Sequence, residues 1–505
     1  MRSRSLPVID LFAGPGGLSE GFWQTGSYDI RLSIEKDVYA HQTLLLRSIY
    51  HELSDSGKTI PDLYYGVPAD PRCLAQLGDR FSREYEAATE KACLAVLGPE
   101  GLSNGDIDAK IKRALGGSSG DPWVLIGGPP CQAYSLIGRA RRRNDPSFES
   151  DIRHVLYREY LRIIAVHRPA VFVMENVPGI LSSQLDGDRI FPRILSDLSN
   201  PGTALGKCDG LEYVLCSLSV AADSTGQADE SPRTYVVRAE EYGVPQRRHR
   251  VILVGVRSDL RGRPSLLQRV SAQVSVREAL IGIPKLRSHV SKGQDSARNW
   301  LTAVRALEEQ PWVGDMDPEI RTAISHNLSA LSDKLKTSGG SIYGGGRPTR
   351  LPSWIVDERL TGTPNHEARG HMQEDLWRYM FAATYARTRG ISPHIRDFPE
   401  GLWPHHSNIL EAVEENMFSD RFRVQLRNAP ATTVVSHISK DGHYYIHPDP
   451  LQCRSLTVRE AARLQTFPDN YFFCGPRTEQ YRQVGNAVPP LLARNIAEAV
   501  LAVFK

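Results

Sequence analysis

The chain is poor in the features that mark a disulfide-held, metal-binding or membrane-spanning protein. Only seven of its 505 residues are cysteines, at positions 73, 93, 131, 208, 216, 453 and 474, and no two stand in C-x-x-C spacing. That scatter argues against a zinc ribbon and a disulfide framework, and fits a reducing compartment. No apolar run approaches the roughly 20 residues that a membrane helix needs. The amino end is basic over residues 1–5, but the apolar stretch at residues 7–12 is too short for a secretory signal and contains Asp10. Tandem repeats and heptads are absent. So is an excess of either charge: 61 Lys and Arg against 58 Asp and Glu leave a formal net charge of +3, so any nucleic-acid surface must be sought locally. The expectation is a cytoplasmic protein with no metal and no membrane partner.

What is present is ample material for folded domains. Hydrophobic residues make up 41% of the chain, and its length predicts at least two domains. Residues 8–12 read as a strand, 13–17 as a glycine-rich turn, 18–24 as the start of a helix, and 30–34 as a second strand that delivers Glu35. An acidic residue about 20 positions after such a turn is the arrangement that grips a nucleoside ribose. Further short apolar runs at 124–126, 171–174 and 251–256 alternate with helical stretches such as 157–167. Alternating strands and helices predict an α/β fold with a doubly wound parallel sheet. Residues 41–104 read as a helical insertion, and the polar, loop-like stretches at 339–352 and 361–369 as part of a separate, loop-rich domain.

The densest signal is GGPPCQAYS at 127–135, where an apolar run enters a turn ending in a single cysteine. Two glycines allow a sharp bend and two prolines stiffen it, which presents the Cys131 thiol at the carboxyl end of a strand. A buried structural cysteine is the alternative. The glycine turn alone suits nicotinamide, flavin or S-adenosylmethionine. Its Gly14, Gly16 and Gly17 depart from G-x-G-x-x-G because Glu20 stands at the third glycine position, a charge that a pyrophosphate would oppose and a sulfonium cofactor would not.

In order along the chain come VIDLFAGPGGLSEGF, GGPPCQAYS, VMENVPGIL, YGVPQRRHRVILVG, RSLTVREAARLQTFPDNY and QVGNAVPP. This series resembles the DNA (cytosine-5-)-methyltransferase family of bacterial restriction-modification or orphan enzymes, and the likeness fades between about 257 and 452, where that family itself varies. The resemblance implies a Rossmann-like S-adenosylmethionine-dependent catalytic domain over 1–256, a target-recognition domain over 257–452, and a carboxyl-terminal segment, 453–505, that completes the catalytic domain. It implies that Phe12, Gly14, Gly16, Gly17, Glu35, Pro130, Asn486 and Val488 line the S-adenosylmethionine pocket. Asp106 either takes the adenine amino group or caps the helix that follows.

Cytosine C5 is too weak a nucleophile to accept a methyl group directly, so a thiolate must first add at C6. Cys131 is the residue for that step. Glu175, at the end of an apolar strand, is suited to protonate N3, the more so if partial desolvation raises its pKa. In QRRHR, strand alternation puts Arg248 and Arg250 on one side and Arg247 on the other. By resemblance Arg250 contacts the cytosine O2, Arg248 supports the catalytic loop or the Cys131 environment, and Asn176 holds its loop. The base must be flipped out of the duplex to reach them. Ser135 and the run Arg139, Arg141, Arg142 and Arg143 fit a loop that closes over double-stranded DNA. Asn365, His366, Arg369, Thr432 and Thr433 resemble recognition-domain features. A cognate restriction or phage-defence system is an implied partner, and a monomer the implied working unit. The rival readings are an RNA cytosine-C5 methyltransferase, a nicotinamide or flavin oxidoreductase, and a non-catalytic DNA-binding homologue.

Overall fold

A computed structural model describes residues 5–117, 121–129, 152–185, 188–207, 210–220, 231–340, 342, 346–404 and 421–505. Pro130, Cys131, Ser135, Arg139, Arg141, Arg142 and Arg143 lie outside the described residues.

The centre of the molecule is a mixed sheet. Its strands are β1 (Leu6–Leu11), β2 (Tyr28–Glu35), β3 (Ala92–Leu94), β4 (Val124–Gly127), β5 (Val171–Asn176), β6 (Tyr213–Cys216), β7 (Val236–Arg238) and β8 (His249–Arg257). They lie in the order β3-β2-β1-β4-β5-β8-β6, with β7 also paired to β8. The first five are parallel, but β8 runs antiparallel to β5, β6 and β7. The expectation of a wholly parallel sheet is corrected on that side. The apolar runs read as strands because both faces are covered. Ile9, Leu11, Leu125, Phe172 and Met174 face one core, and Val8, Val124, Ile126, Val171 and Val173 face the other. Helix α1 (Gly17–Trp23) and helix α2 (Val38–Asp55) follow β1 and β2.

Residues 41–104 are not a detachable insertion. They contain most of α2 and all of β3, which pairs with β2, so only the short helices between, Asp62–Gly66, Arg72–Arg80 and Ser82–Lys91, are extra to the sheet. Nor is the middle of the chain only loops. Trp300, Ile320, Ile324, Tyr379, Met380 and Phe422 form a buried core of their own, built on the helices Ala297–Arg305, Pro318–Ser329 and Gln373–Arg389. The closing helices are α3 (Arg477–Asn486) and α4 (Pro490–Leu501). The stretch Arg477–Phe504 is long and apolar enough to cross a membrane, yet it breaks between α3 and α4, and its most apolar 18 residues are 67% buried, as a core element is. Leu492, Ile496 and Val500 of α4 are fully buried against the sheet.

Candidate active site

The chain passes from β1 outward to β2 and β3, then returns to β4 beside β1, so the carboxyl ends of β1 and β4 form a topological switch point. Crevices at such points are where open α/β sheets bind ligands. Register sharpens the position. Ile34, Leu11, Gly127 and Met174 form one row across four strands. One residue further on, Glu35, Phe12, Gly128 and Glu175 leave their strands side by side. At the usual spacing between strands, Glu35 and Glu175 stand about 14 Å apart along this edge.

Beyond β1 the backbone turns sharply: Phe12 and Gly14 both have φ of 57° and Gly16 has φ of 94°. A non-glycine residue in the left-handed region is uncommon and costs energy that only a fixed surrounding repays. The Gly14 amide donates to Glu35 Oε2 at 2.7 Å, while Lys36 and Asp37 donate theirs to Oε1 at 2.8 and 2.7 Å. Glu35 is thus anchored to the turn by backbone donors. A carboxylate has about four acceptor sites, so room remains for a hydroxyl donor such as a ribose. A Cβ built on Gly14 meets nothing within 4 Å, so the turn opens onto free space. Gly17 is different, since a Cβ there would fall 2.2 Å from the Val488 carbonyl oxygen. The first and last blocks of the sequence therefore pack backbone to backbone, with Val488 buried and Asn486 exposed at the end of α3. These residues fit an S-adenosylmethionine: an open glycine turn beside a fixed acidic group, and no phosphate cradle required.

The reasoning that Glu20 would repel a pyrophosphate is overturned. Glu20 is fully buried and faces α2, where Arg47 Nε lies 2.8 Å and His51 Nε2 2.9 Å from its Oε2. Burial alone would raise its carboxyl, but Arg47 and His51 hold it well below the usual carboxylate range. Asp10, beneath the turn on β1, behaves oppositely. Burial pushes it up to about 7 against the pull of the Ser19 hydroxyl, which donates to its Oδ2 at 2.5 Å.

At the other end of the row, Arg250 Nε meets Glu175 Oε1 at 2.7 Å, with the two side chains only 9% and 14% exposed. Glu175 is therefore ion-paired rather than left in an apolar pocket. Arg250 also donates to the carbonyl of His249 at 2.7 Å. Its own proton affinity is lowered by burial, against the pull of Glu175. Arg248 is buried on the same side and Arg247 is exposed, as alternation predicts. Arg248 Nη1 donates to the Val434 carbonyl at 2.8 Å, so among the described residues its contact is with the middle region. Burial and the neighbouring Arg250 both lower its proton affinity. A Cβ on Gly128 would come 3.0 Å from Glu175 Oε2, and Asn176 Nδ2 donates to the Pro129 carbonyl at 3.3 Å. The segment that leads to Cys131 therefore starts in contact with the Glu175 loop.

The middle region joins this edge through residues that the sequence reading passed over. Gln246, fully buried, accepts the Val434 amide at 2.8 Å, and the Thr433 hydroxyl donates to the Arg247 carbonyl at 2.6 Å. Thr432 donates amide and hydroxyl to Gln425 Oε1 at 2.8 and 3.1 Å. A Cβ on Gly485 would lie 2.4 Å from the Ser436 amide nitrogen. Glutamine among arginines, and a glycine before Asn486, were the available signals.

Three residues expected to read DNA are bonded within the protein in this structure. His366 is 2% exposed, with its ring nitrogens 2.8 Å from the Thr457 hydroxyl and from the Pro284 carbonyl, and burial lowers it to about 4. Asn365 exchanges hydrogen bonds with the backbone of Phe473 at 3.0 and 3.1 Å. Arg369 is buried, donates to the Ile438 carbonyl and stacks over Tyr481 at 4.0 Å. Asp106 is exposed in the first turn of Asn104–Ala114, whose N-cap is Ser103; the Ser103 hydroxyl donates to its Oδ2 at 2.6 Å, so it is not itself the cap.

Comparison with known proteins agrees with this geometry. Residues 99–502 match the family described as C-5 cytosine-specific DNA methylase. The chain is 35% identical to the type II methyltransferase M.Bpa9945I of Bacillus paralicheniformis, over 98% of both proteins. It is 27% identical to the DNA (cytosine-5-)-methyltransferase M.ApeKI of Aeropyrum pernix, again over 98% of each. Among solved structures, one described as a prophage-encoded DNA modification methyltransferase (E. coli) covers 99% of both chains at 19% identity with a TM-score of 0.53, a likeness of fold. The chain belongs to the C-5 cytosine-specific DNA methylase family and is, as its motifs indicated, a DNA (cytosine-5-)-methyltransferase.

Proposed function

We propose that this enzyme methylates C5 of a cytosine flipped out of double-stranded DNA, through a covalent bond between Cys131 and C6. The observation that carries this reading is the Glu175–Arg250 ion pair at the end of β5, with Gly128 of the Cys131 segment packed against it. Cys131 follows Gly128 by three residues in the sequence. Thiolate addition at C6 places negative charge on N3 and O2. Glu175 supplies or shares a proton at N3, and Arg250 stabilises charge at O2. Once C5 has received the methyl group, loss of the C5 proton to a base such as water and release of the thiolate from C6 restore the aromatic ring. S-adenosylmethionine supplies the methyl group, and Phe12, Gly14, Gly16, Gly17, Glu35 and Val488 are the residues that would hold it.

The reading assigns target recognition to residues 257–452 and catalysis to the segments on either side. It takes a monomer as the working unit, the bacterial cytoplasm and its nucleoid as the place, and a cognate restriction or phage-defence system as the counterpart that the type II relatives suggest. Trapping tests it. Duplex DNA containing 5-fluorocytosine in the target should form a denaturation-resistant adduct with the native enzyme and S-adenosylmethionine, and none with Cys131→Ser. Substantial methyl transfer by Cys131→Ser would remove the covalent step from the reading.

A further inference from the structure

Among the sequence blocks, RSLTVREAARLQTFPDNY at 454–471 is the one to which the proposed chemistry gives no task. All 7 residues of its helix, Val458–Leu464, are buried, and Arg454, Arg459 and Arg463 are each no more than 1% exposed. Arg454 pairs with Glu460, and Arg463 with Asp469. Arg459 instead donates to main-chain carbonyls, from Nε to Pro364 at 3.0 Å, from Nη1 to Pro468 at 2.9 Å and from Nη2 to Tyr471 at 2.7 Å. Charge-assisted bonds of this kind fix the backbone of residues 468–471.

What they fix is Tyr471. Its ring packs against Phe467 and Phe473 at centroid separations of 4.8 and 5.6 Å, and the Arg47 guanidinium lies over it at 4.9 Å. Arg47 also donates to Asn470 Oδ1 at 3.0 Å. The side chain ends at the cofactor turn. Its hydroxyl donates to the Pro15 carbonyl, and a Cβ on Gly16 would fall 2.8 Å from the same hydroxyl oxygen. On its near side the turn is tied to β2, since the Ala13 amide donates to the Ile34 carbonyl at 3.0 Å and the Gly14 amide to Glu35. Pro15 is buried between two glycines of positive φ and has no amide hydrogen, so its carbonyl is its only polar backbone group. Burial holds the Tyr471 phenol far above its ordinary range, which keeps it a donor at any working pH.

We propose that Tyr471 is a positioning residue for the methyl donor: its hydroxyl holds the Pro15 carbonyl and so keeps the glycine turn in the shape that receives S-adenosylmethionine. The inference rests on the reading that this turn holds that cofactor. At 1% exposure the side chain offers almost no surface to a ligand, so it acts through the turn. Phe12 at φ of 57° gives the turn a conformation that persists only where its surroundings impose it. Without the hydroxyl the Pro15 half relaxes, and the cofactor must reorder it on binding.

The test is calorimetric binding of S-adenosylmethionine to the full chain, with steady-state methylation of duplex DNA in parallel. Tyr471→Phe removes one oxygen and should weaken cofactor binding about tenfold, raise the KM for S-adenosylmethionine in proportion, and leave kcat and the KM for DNA within about twofold. Tyr213→Phe removes a buried phenol–carbonyl bond of the same kind, from Tyr213 to Pro169 at 2.8 Å, and should keep native cofactor affinity whatever its thermal midpoint. Phe467→Leu keeps the Tyr471 hydroxyl but loosens the ring packed on it, and should weaken cofactor binding by a smaller factor. Native cofactor affinity in folded Tyr471→Phe, or in Phe467→Leu should Tyr471→Phe not fold, would overturn the positioning role, as would an equal loss in Tyr213→Phe. A native chain that binds no S-adenosylmethionine would instead overturn the cofactor reading on which the role rests.

Discussion

Two carboxylates near the cofactor turn and the catalytic edge, Asp10 and Glu175, differ because of what faces each one. Glu175 is ion-paired with Arg250, and replacing either as Glu175→Gln or Arg250→Ala should cost about 2.7–4 kcal/mol in the chemical step, read from single-turnover rates with DNA affinity measured in parallel. Loss of DNA affinity with an unchanged rate would contradict that role. Among the described residues, Asp10 has no cationic partner. Because burial raises it to about 7, the folded state holds its proton over a range where the unfolded chain has released it. Its contribution is therefore complete below the unfolded value near 3.8 and is lost as pH rises to about 7, a difference on the order of 4 kcal/mol. Asp10→Asn should flatten that part of the stability–pH curve, as measured by urea denaturation between pH 4 and 8; an unaltered slope would mean that Asp10 is ionised in the folded protein. Legibility at this scale followed chemistry. Glu175 and Glu35 stood out because they close apolar strands, and Arg250 because it opens one. Asn365, His366 and Arg369 could not be assigned, since nothing in a sequence distinguishes a polar side chain turned toward DNA from one bonded to a distant backbone carbonyl.

Elements are held to one another here by absent side chains and by buried charge. Gly17 against Val488 and Gly485 against Ser436 are contacts between backbones, so an alanine at either must displace a neighbouring chain rather than a side-chain tip. Gly17→Ala should weaken S-adenosylmethionine binding by at least tenfold in calorimetry, and an unchanged affinity would show that α4 yields without disturbing the turn. Helices α1 and α2 are joined by the buried Glu20–Arg47 pair. Arg47→Met should destabilise by roughly 3–5 kcal/mol because it leaves a buried carboxylate with His51 as its remaining partner, whereas Glu20→Gln with Arg47→Met should recover most of that. Equal losses in chemical denaturation of the single and double variants would show that packing, not charge, sets the cost. The parallel half of the sheet was legible from alternating apolar runs and helices. The antiparallel β8 was not, because a short apolar run that is buried on both faces carries no sign of its direction. The extra helices of 62–91 and the retained β3 were merged for a similar reason, since Ala92–Leu94 is too short to show any period.

For the whole molecule the decisive fact is that the first and last sequence blocks meet, with the middle region attached across residues 245–248 and 431–436. Order along the chain made that closure foreseeable, while the helical core of residues 300–402 was hidden by polar, loop-like composition nearby. If residues 257–452 carry target choice, exchanging them for the counterpart of a relative with another specificity should change the methylated sequence and leave S-adenosylmethionine affinity within a few-fold. A folded, active chimera that keeps the original target would place recognition elsewhere, with residues 62–91 the first place to look. The central claim, cytosine C5 methylation by this site, is met most directly by bisulfite sequencing of DNA from cells expressing the native chain or Glu175→Gln. The account predicts protected cytosines at one short recurring sequence with the native chain and a marked loss of them with the variant. Native expression that leaves every cytosine convertible, or equal protection from both chains, would contradict it.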